Sequence, residues 1–301
     1  MTMLVNWLES LHVDVTITNK CSRKRNLRST CRICLDVCKY EALSINQQSI
    51  EINSECCTSC GDCMISCPLS AIEGIPALRE IDKGSLIYHD GYTPFVKELL
   101  IYKKRGINSI KLNGNPINQK WDTVIIEANT KLKFLGQRPI EMIQKVKEET
   151  LSRREFFSSF RKEGKQLAKS MAPAIWKIEA DEWNVNNYYS DFQFYTVMID
   201  ENKCTLCRAC SSFCSQEVFI LTDSFLQIEN EKCVNCTDCT DICPEHAIQI
   251  KSDFKKKGNI HAAFHIKECG DCGQSFHTFQ PRMEKCHICK DRNPEWLSPY
   301  Q

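Results

Sequence analysis

The arrangement of cysteines constrains this chain more than any other feature. Its 301 residues carry 21 cysteines, confined to 21–67, 204–243 and 269–289, with none from 68 to 203. A disulfide framework would spread them more evenly, whereas grouped C-x2-C spacing is the pattern of metal ligation. The second block holds Cys204, Cys207, Cys210, Cys214, Cys233, Cys236, Cys239 and Cys243. Subtracting 176 from each number lands on Cys31, Cys34, Cys38, Cys57, Cys60, Cys63 and Cys67, and only Cys204 fails, falling on Arg28. Pro68 and Pro244, each following the last cysteine of its block, correspond as well. A register shared by seven metal-type ligands reads as an internal repeat.

Each block, over roughly 13–74 and 196–252 of the sequence, resembles a bacterial two-cluster ferredoxin. In that family C-x2-C-x2-C-x3-C-P runs bind 4Fe-4S clusters, and the fourth cysteine of each run crosses to the other cluster. Carried over by position, the resemblance implies one set of Cys204, Cys207, Cys210 and Cys243 and a second of Cys233, Cys236, Cys239 and Cys214. In the first block Cys57, Cys60, Cys63 and Cys38 form a complete set, and Cys31, Cys34 and Cys67 await a fourth ligand. Four clusters are therefore expected. The chemistry suits the spacing: two-residue gaps let the backbone wrap a cuboidal cluster with N–H groups aimed at sulfur, and thiolates are soft ligands for iron.

Three solutions compete for the missing ligand. Cys21 can return to the cluster, since the stretch from Cys21 to Cys31 is long enough to loop back. A three-iron cluster on Cys31, Cys34 and Cys67 is the second, and ligation by Cys56 the third. The intervening segment holds Arg23, Lys24, Arg25 and Arg28. If it wraps this cluster, its cations favour the more negative reduced form and raise the potential there; otherwise they face water.

The fold class expected is α+β: two ferredoxin-like modules (1–78 and 196–255), a small α/β domain (79–149), a helix and connector (150–195), and a tail resembling a zinc ribbon (256–301). In the α/β stretch "SLIYHD", "INSIKL" and "PIEMIQ" read as strands. Between them fall two helices, one with Phe95, Leu99 and Tyr102 on a face, the other with Trp121, Val124, Ile125, Ala128, Leu132 and Leu135, which suggests βαβαβ with a parallel sheet. There is no glycine-rich nucleotide loop, and "HDG" (His89 to Gly91) at a strand end is a weak invitation to a ligand. "SRREFF" (Ser152 to Phe157) reads as a helix start with a Ser152/Glu155 capping box, not as an export signal. In the tail, Cys269, Cys272, Cys286 and Cys289 form two C-x2-C knuckles suited to one structural zinc, with a fifth iron centre as the alternative. His261, His265, His277 and His287 read as surface residues beside a site already full.

Net charge of +1 argues against a dedicated nucleic-acid or membrane-surface protein. With no apolar run long enough to cross a bilayer, a soluble cytoplasmic protein is expected. The resemblance implies an electron carrier with no intrinsic catalysis, a polyferredoxin relaying single electrons through up to four clusters to or from a partner oxidoreductase. By its arrangement of modules it is also similar to polyferredoxin-like proteins that serve molybdenum enzymes such as formate dehydrogenase. The alternative is an iron–sulfur redox sensor or scaffold whose ribbon binds a regulatory partner or nucleic acid. No small-molecule substrate and no membrane span are expected, and nucleic acid is disfavoured as a partner.

Overall fold

The computed structural model describes residues 15–74, 79–114, 116–144 and 183–290. The 152–167 helix reading lies outside them. The chain is mixed α and β, with short helices and several small sheets. It divides into two compact units: 1–19, 32–46 and 50–188 in the first, and 20–31, 47–49 and 189–301 in the second. Among the described residues no helix is long and apolar enough to cross a membrane.

In the first unit, strands Ser85–Ile87, Ser109–Leu112 and Glu141–Gln144 pair in parallel, joined by helices Val96–Lys104 and Gln119–Phe134. On the second helix the sequence periodicity matches the buried face, Trp121, Ile125, Ala128 and Leu132 being at most 3% exposed; the first buries the unbroken run Glu98 to Tyr102, and Phe95, placed on its predicted face, is only partly buried. The Asn118 side chain caps the longer helix by accepting from Trp121 N at 3.0 Å. Both helices stop in the same way. Gly106 (φ +90) and Gly136 (φ +66) turn the chain left-handed, and the next amide (Ile107 N, Gln137 N) returns to the carbonyl of Tyr102 or Leu132. An extra strand, Ile81–Asp82, extends the sheet antiparallel to Ser85–Ile87. Its turn, Lys83 (φ +47) and Gly84 (φ +79), has the two positive φ values a tight hairpin requires. "HDG" is a self-bonded turn in which His89 Nδ1 accepts from Gly91 N at 2.9 Å and Asp90 accepts from the Tyr88 hydroxyl.

The repeat persists element by element. Helices Ile33–Asp36 and Asp62–Ser66 correspond to Ala209–Phe213 and Asp238–Ile242. Hairpin strands Leu43–Asn46 and Ser49–Ile52 correspond to Phe219–Leu221 and Phe225–Glu229. Left-handed residues recur in register too, Glu41 with Glu217 and Ser70 with His246, each three residues after a cysteine. In the second unit a long antiparallel pair, Phe192–Ile199 with Ile248–Lys256, flanks the cysteine runs. Strand Asn259–Ala263 adds to the Phe225–Glu229 strand, and hairpin His265–Glu268 with Ser275–Thr278 leads into the tail.

Candidate metal centres

Three of the four-cysteine sets are gathered within single units. Cys38, Cys57, Cys60 and Cys63 line one pocket in the first unit, together with Tyr40 and Leu43. Cys204, Cys207, Cys210 and Cys243 line another in the second, beside Leu226 and Ile248. Cys233, Cys236 and Cys239 are buried, and Cys214 is a close electrostatic neighbour of all three.

Backbone conformation explains how short chain segments curve round such a space. The residues flanking the middle cysteine of each run are left-handed: Ser59 (φ +54) and Gly61 (φ +82), Leu206 (φ +53) and Arg208 (φ +67), Asn235 (φ +56) and Thr237 (φ +65). Alternating left- and right-handed residues turn successive N–H groups toward one concave side, a cradle for negative charge. Left-handed backbone costs a non-glycine residue about 1–2 kcal/mol, so its recurrence at five such positions points to a shape the runs are built to hold. Further amides reach sulfur directly, Ala71 N to Cys67 Sγ and Ala247 N to Cys243 Sγ, each at 3.3 Å and again in register.

Without metal these thiols are crowded and dry. Burial pushes Cys210 up to about 12, with repulsion from Cys204, Cys207 and Cys243 adding to it. Cys63 rises to about 12 by burial and then by its neighbour Cys60. Cys236 rises to about 12 by burial, with Asp238, Cys214 and Cys233 adding to it. A thiol held neutral in the folded chain but free to ionise in the unfolded one weakens folding once pH passes its ordinary value of 9.0. Metal-free protein should therefore lose stability as pH rises from 8 to about 10, measured by urea midpoint, and a flat profile would contradict this crowding. A metal bound by these thiols would convert them to thiolates and release their protons.

The fourth set is divided: Cys21 and Cys31 belong to the second unit, Cys34 and Cys67 to the first. Strand pairing locates Cys21 within the repeat. Ile17 pairs with Ile72 and Ile199 with Ile248, and the two partners are 176 apart. Thr18 N donates to Ala71 O and Asp200 N to Ala247 O, both at 2.8 Å. Ile17 is thus the counterpart of Ile199. Cys21 follows Ile17 by four residues and Cys204 follows Ile199 by five, so Cys21 stands beside the place of Cys204, with six residues inserted before Cys31. Thr30 and Arg32, at the positions that are left-handed in the other runs, have negative φ or are absent from the left-handed set, Arg32 at −132. Cys56 is exposed.

In the tail, the sulfurs of Cys269, Cys272, Cys286 and Cys289 lie within 4.8 Å of one another, a group that can hold a metal ion. The N–H groups of Cys286 and Cys272 point at Cys269 and hold its thiol down, to about 6. Cys286 N lies 3.3 Å from Cys269 Sγ. Such amide donors favour thiolate, the form a metal requires. The four histidines named from the sequence are not part of this sulfur group.

Two buried ion networks beside the runs were not legible in the sequence. Arg79 (side chain 2% exposed) reaches Asp62 and Glu98, at 2.7 Å each, and its guanidinium stands 4.2 Å from the centre of the Tyr92 ring. In the second unit Arg25 reaches Asp238, whose carboxyl burial pushes up while Ser22 and Arg25 lower it. The only advance signal was that Asp62 and Asp238 are 176 apart. No family model matches the chain, and no curated protein matches it.

Proposed function

We propose that the chain is an iron–sulfur electron-transfer protein. The observation that carries this reading is the recurrence, in three cysteine runs, of four gathered thiols on a backbone turned left-handed on both sides of the middle cysteine. The donor set fits 4Fe-4S clusters: all-sulfur, with inward amides, apolar walls and a crossing fourth ligand. When bound, the clusters supply one-electron redox chemistry; the chain ligates them, dries them and sets their potentials through charge and N–H···S bonds. Cys21 is the favoured fourth ligand of the Cys31, Cys34 and Cys67 set because strand pairing aligns it with Cys204. Zinc is the favoured ion for Cys269, Cys272, Cys286 and Cys289, a closed four-sulfur group of structural type.

In particular, we read it as a polyferredoxin relaying electrons to or from a partner oxidoreductase, with a molybdenum enzyme such as formate dehydrogenase as the suggested partner class. The parallel α/β segment between the two cysteine blocks supports a spacing or docking role. Protein purified under anaerobic conditions should be brown, carry about sixteen iron and as many sulfide per chain, and give 4Fe-4S EPR signals on reduction. Colourless protein with zinc as its sole metal would overturn the reading.

A further inference from the structure

The two repeats share a feature that ligation alone does not account for. Asp62 and Asp238 occupy the same position, directly before the third cysteine of their runs, and are 5% and 0% exposed. Cys60 and Cys236 are equivalent as well, and each carbonyl accepts a hydrogen bond from a side chain outside its own cysteine run. On Cys60 the donor is Arg79 Nη1 at 3.4 Å, while Arg79 Nη2 lies 2.7 Å from Asp62 Oδ1. On Cys236 the donor is Ser22 Oγ at 3.3 Å, and Arg25 Nη1 lies 3.5 Å from Asp238 Oδ2. Arg25 Nη2 also donates to the carbonyl of Phe213, the residue before Cys214. One guanidinium therefore rests on chain adjoining two ligands of the same set, Cys214 and Cys239.

The side chains of Ser22 and Arg25 come from the six-residue insertion and its flanks, the part of the first cysteine block that clusters with the second unit. Its far end is fastened too, Thr30 N and Oγ1 bonding the Asp241 carboxylate at 2.8 and 2.9 Å. Arg23 Nε donates to the Cys31 carbonyl at 2.6 Å.

We propose that Arg25, and Arg79 at the equivalent place, are potential-setting residues that hold a positive charge against the ligand-bearing turn of one cluster in each repeat and raise its reduction potential. Resting on the iron–sulfur reading, this adds which clusters are tuned and by which side chains. A cation a few ångströms from a cluster favours its more negative reduced form, and partial burial limits screening by water and salt. Asp238 and Asp62 act in the opposite sense; Asp62 hydrogen-bonds Arg79, whereas Asp238 meets Arg25 as an ion pair without a hydrogen bond.

The test is EPR-monitored redox titration of the full-length, iron-loaded protein, with the Cys214, Cys233, Cys236 and Cys239 cluster assigned by the signal missing from Cys239→Ser. Arg25→Met should lower that cluster's midpoint by about 59 mV, a tenfold change in its reduced-to-oxidised ratio at fixed ambient potential. Arg25→Lys should keep it near the wild-type value, and Asp238→Asn should raise it. Unchanged midpoints in Arg25→Met and Asp238→Asn with full iron content, or shifts of the same sign in both, would overturn the proposal. Should Arg25→Met not retain its iron, Asp238→Asn decides: a raised midpoint supports the proposal, and an unchanged or lowered one overturns it. Wild-type protein without any cluster signal would sink the iron–sulfur reading itself, and this inference with it.

Discussion

Arg79→Met should destabilise the first unit by about 3–5 kcal/mol, the usual result of removing one member of a buried charge network. Arg79 is the common partner of Asp62 and Glu98, whose side chains are 6% and 0% exposed. Burial alone would lower its pKa, yet Glu98 and Asp62 raise it, so the guanidinium stays charged and its loss strands two carboxylates in a dry interior. Glu98 would lose most, because its Oε2 also accepts from Phe95 N at 3.1 Å and so starts the Val96–Lys104 helix. Urea unfolding of the metal-free protein measures the loss. A triple variant with Arg79→Met, Asp62→Asn and Glu98→Gln should recover part of it, since no unpaired charge remains. A wild-type midpoint in Arg79→Met would show that the network adds nothing to folding.

The second large effect is expected in the tail. Its core is Cys269, Phe276, Cys286 and Cys289, with Met283 packed against them. So few apolar groups cannot offset the conformational entropy of ordering the knuckles. A metal on the four thiols, as proposed, would supply the difference: structural zinc in small cysteine sites contributes about 10–16 kcal/mol of apparent binding free energy at neutral pH. Cys286→Ser, or removal of the metal by a strong chelator, should melt residues 265–290 locally. Hydrogen exchange would report this as loss of protection in the His265–Glu268 and Ser275–Thr278 hairpin, with the Phe192–Ile199 and Ile248–Lys256 pair still protected. Protection unchanged after complete metal removal would mean that the hairpin stands without the ion.

Both experiments bear on how the metal sites are held. In the cysteine runs, left-handed residues and inward amides shape the cradle before any metal arrives, so most of the geometry is built by the backbone. In the tail the thiols themselves are most of the core. If the runs hold iron and the tail a metal ion, as proposed, iron loss should leave collapsed, protonated thiols in a folded unit, whereas metal loss from the tail should unfold its segment.

Much of this molecule could be read from residue order because its information is local. Ligand spacing is set by a few consecutive peptides, so the 176-residue register of the cysteines is matched by helices, hairpins and left-handed positions that recur at the same offset. The longer α/β helix was equally legible, since Trp121, Ile125, Ala128 and Leu132 repeat at the helical period, whereas the shorter one buries the consecutive run Glu98 to Tyr102, which no period marks. The strand Ile81–Asp82 was missed because two residues carry no period.

What residue order could not contain was the destination of charged side chains. Nothing local in "SRKR" tells whether Arg25 faces water, its own block's cysteines or the turn at Asp238, because its contacts lie about two hundred residues along the chain. The same holds for Arg79, an isolated arginine in sequence that becomes the centre of a buried network only when Asp62 and Glu98 are folded against it. Thiol spacing determined where metal can be held; tertiary packing alone decided which buried charges stand beside it, since a long-range ion pair leaves no periodic trace in the residues that make it.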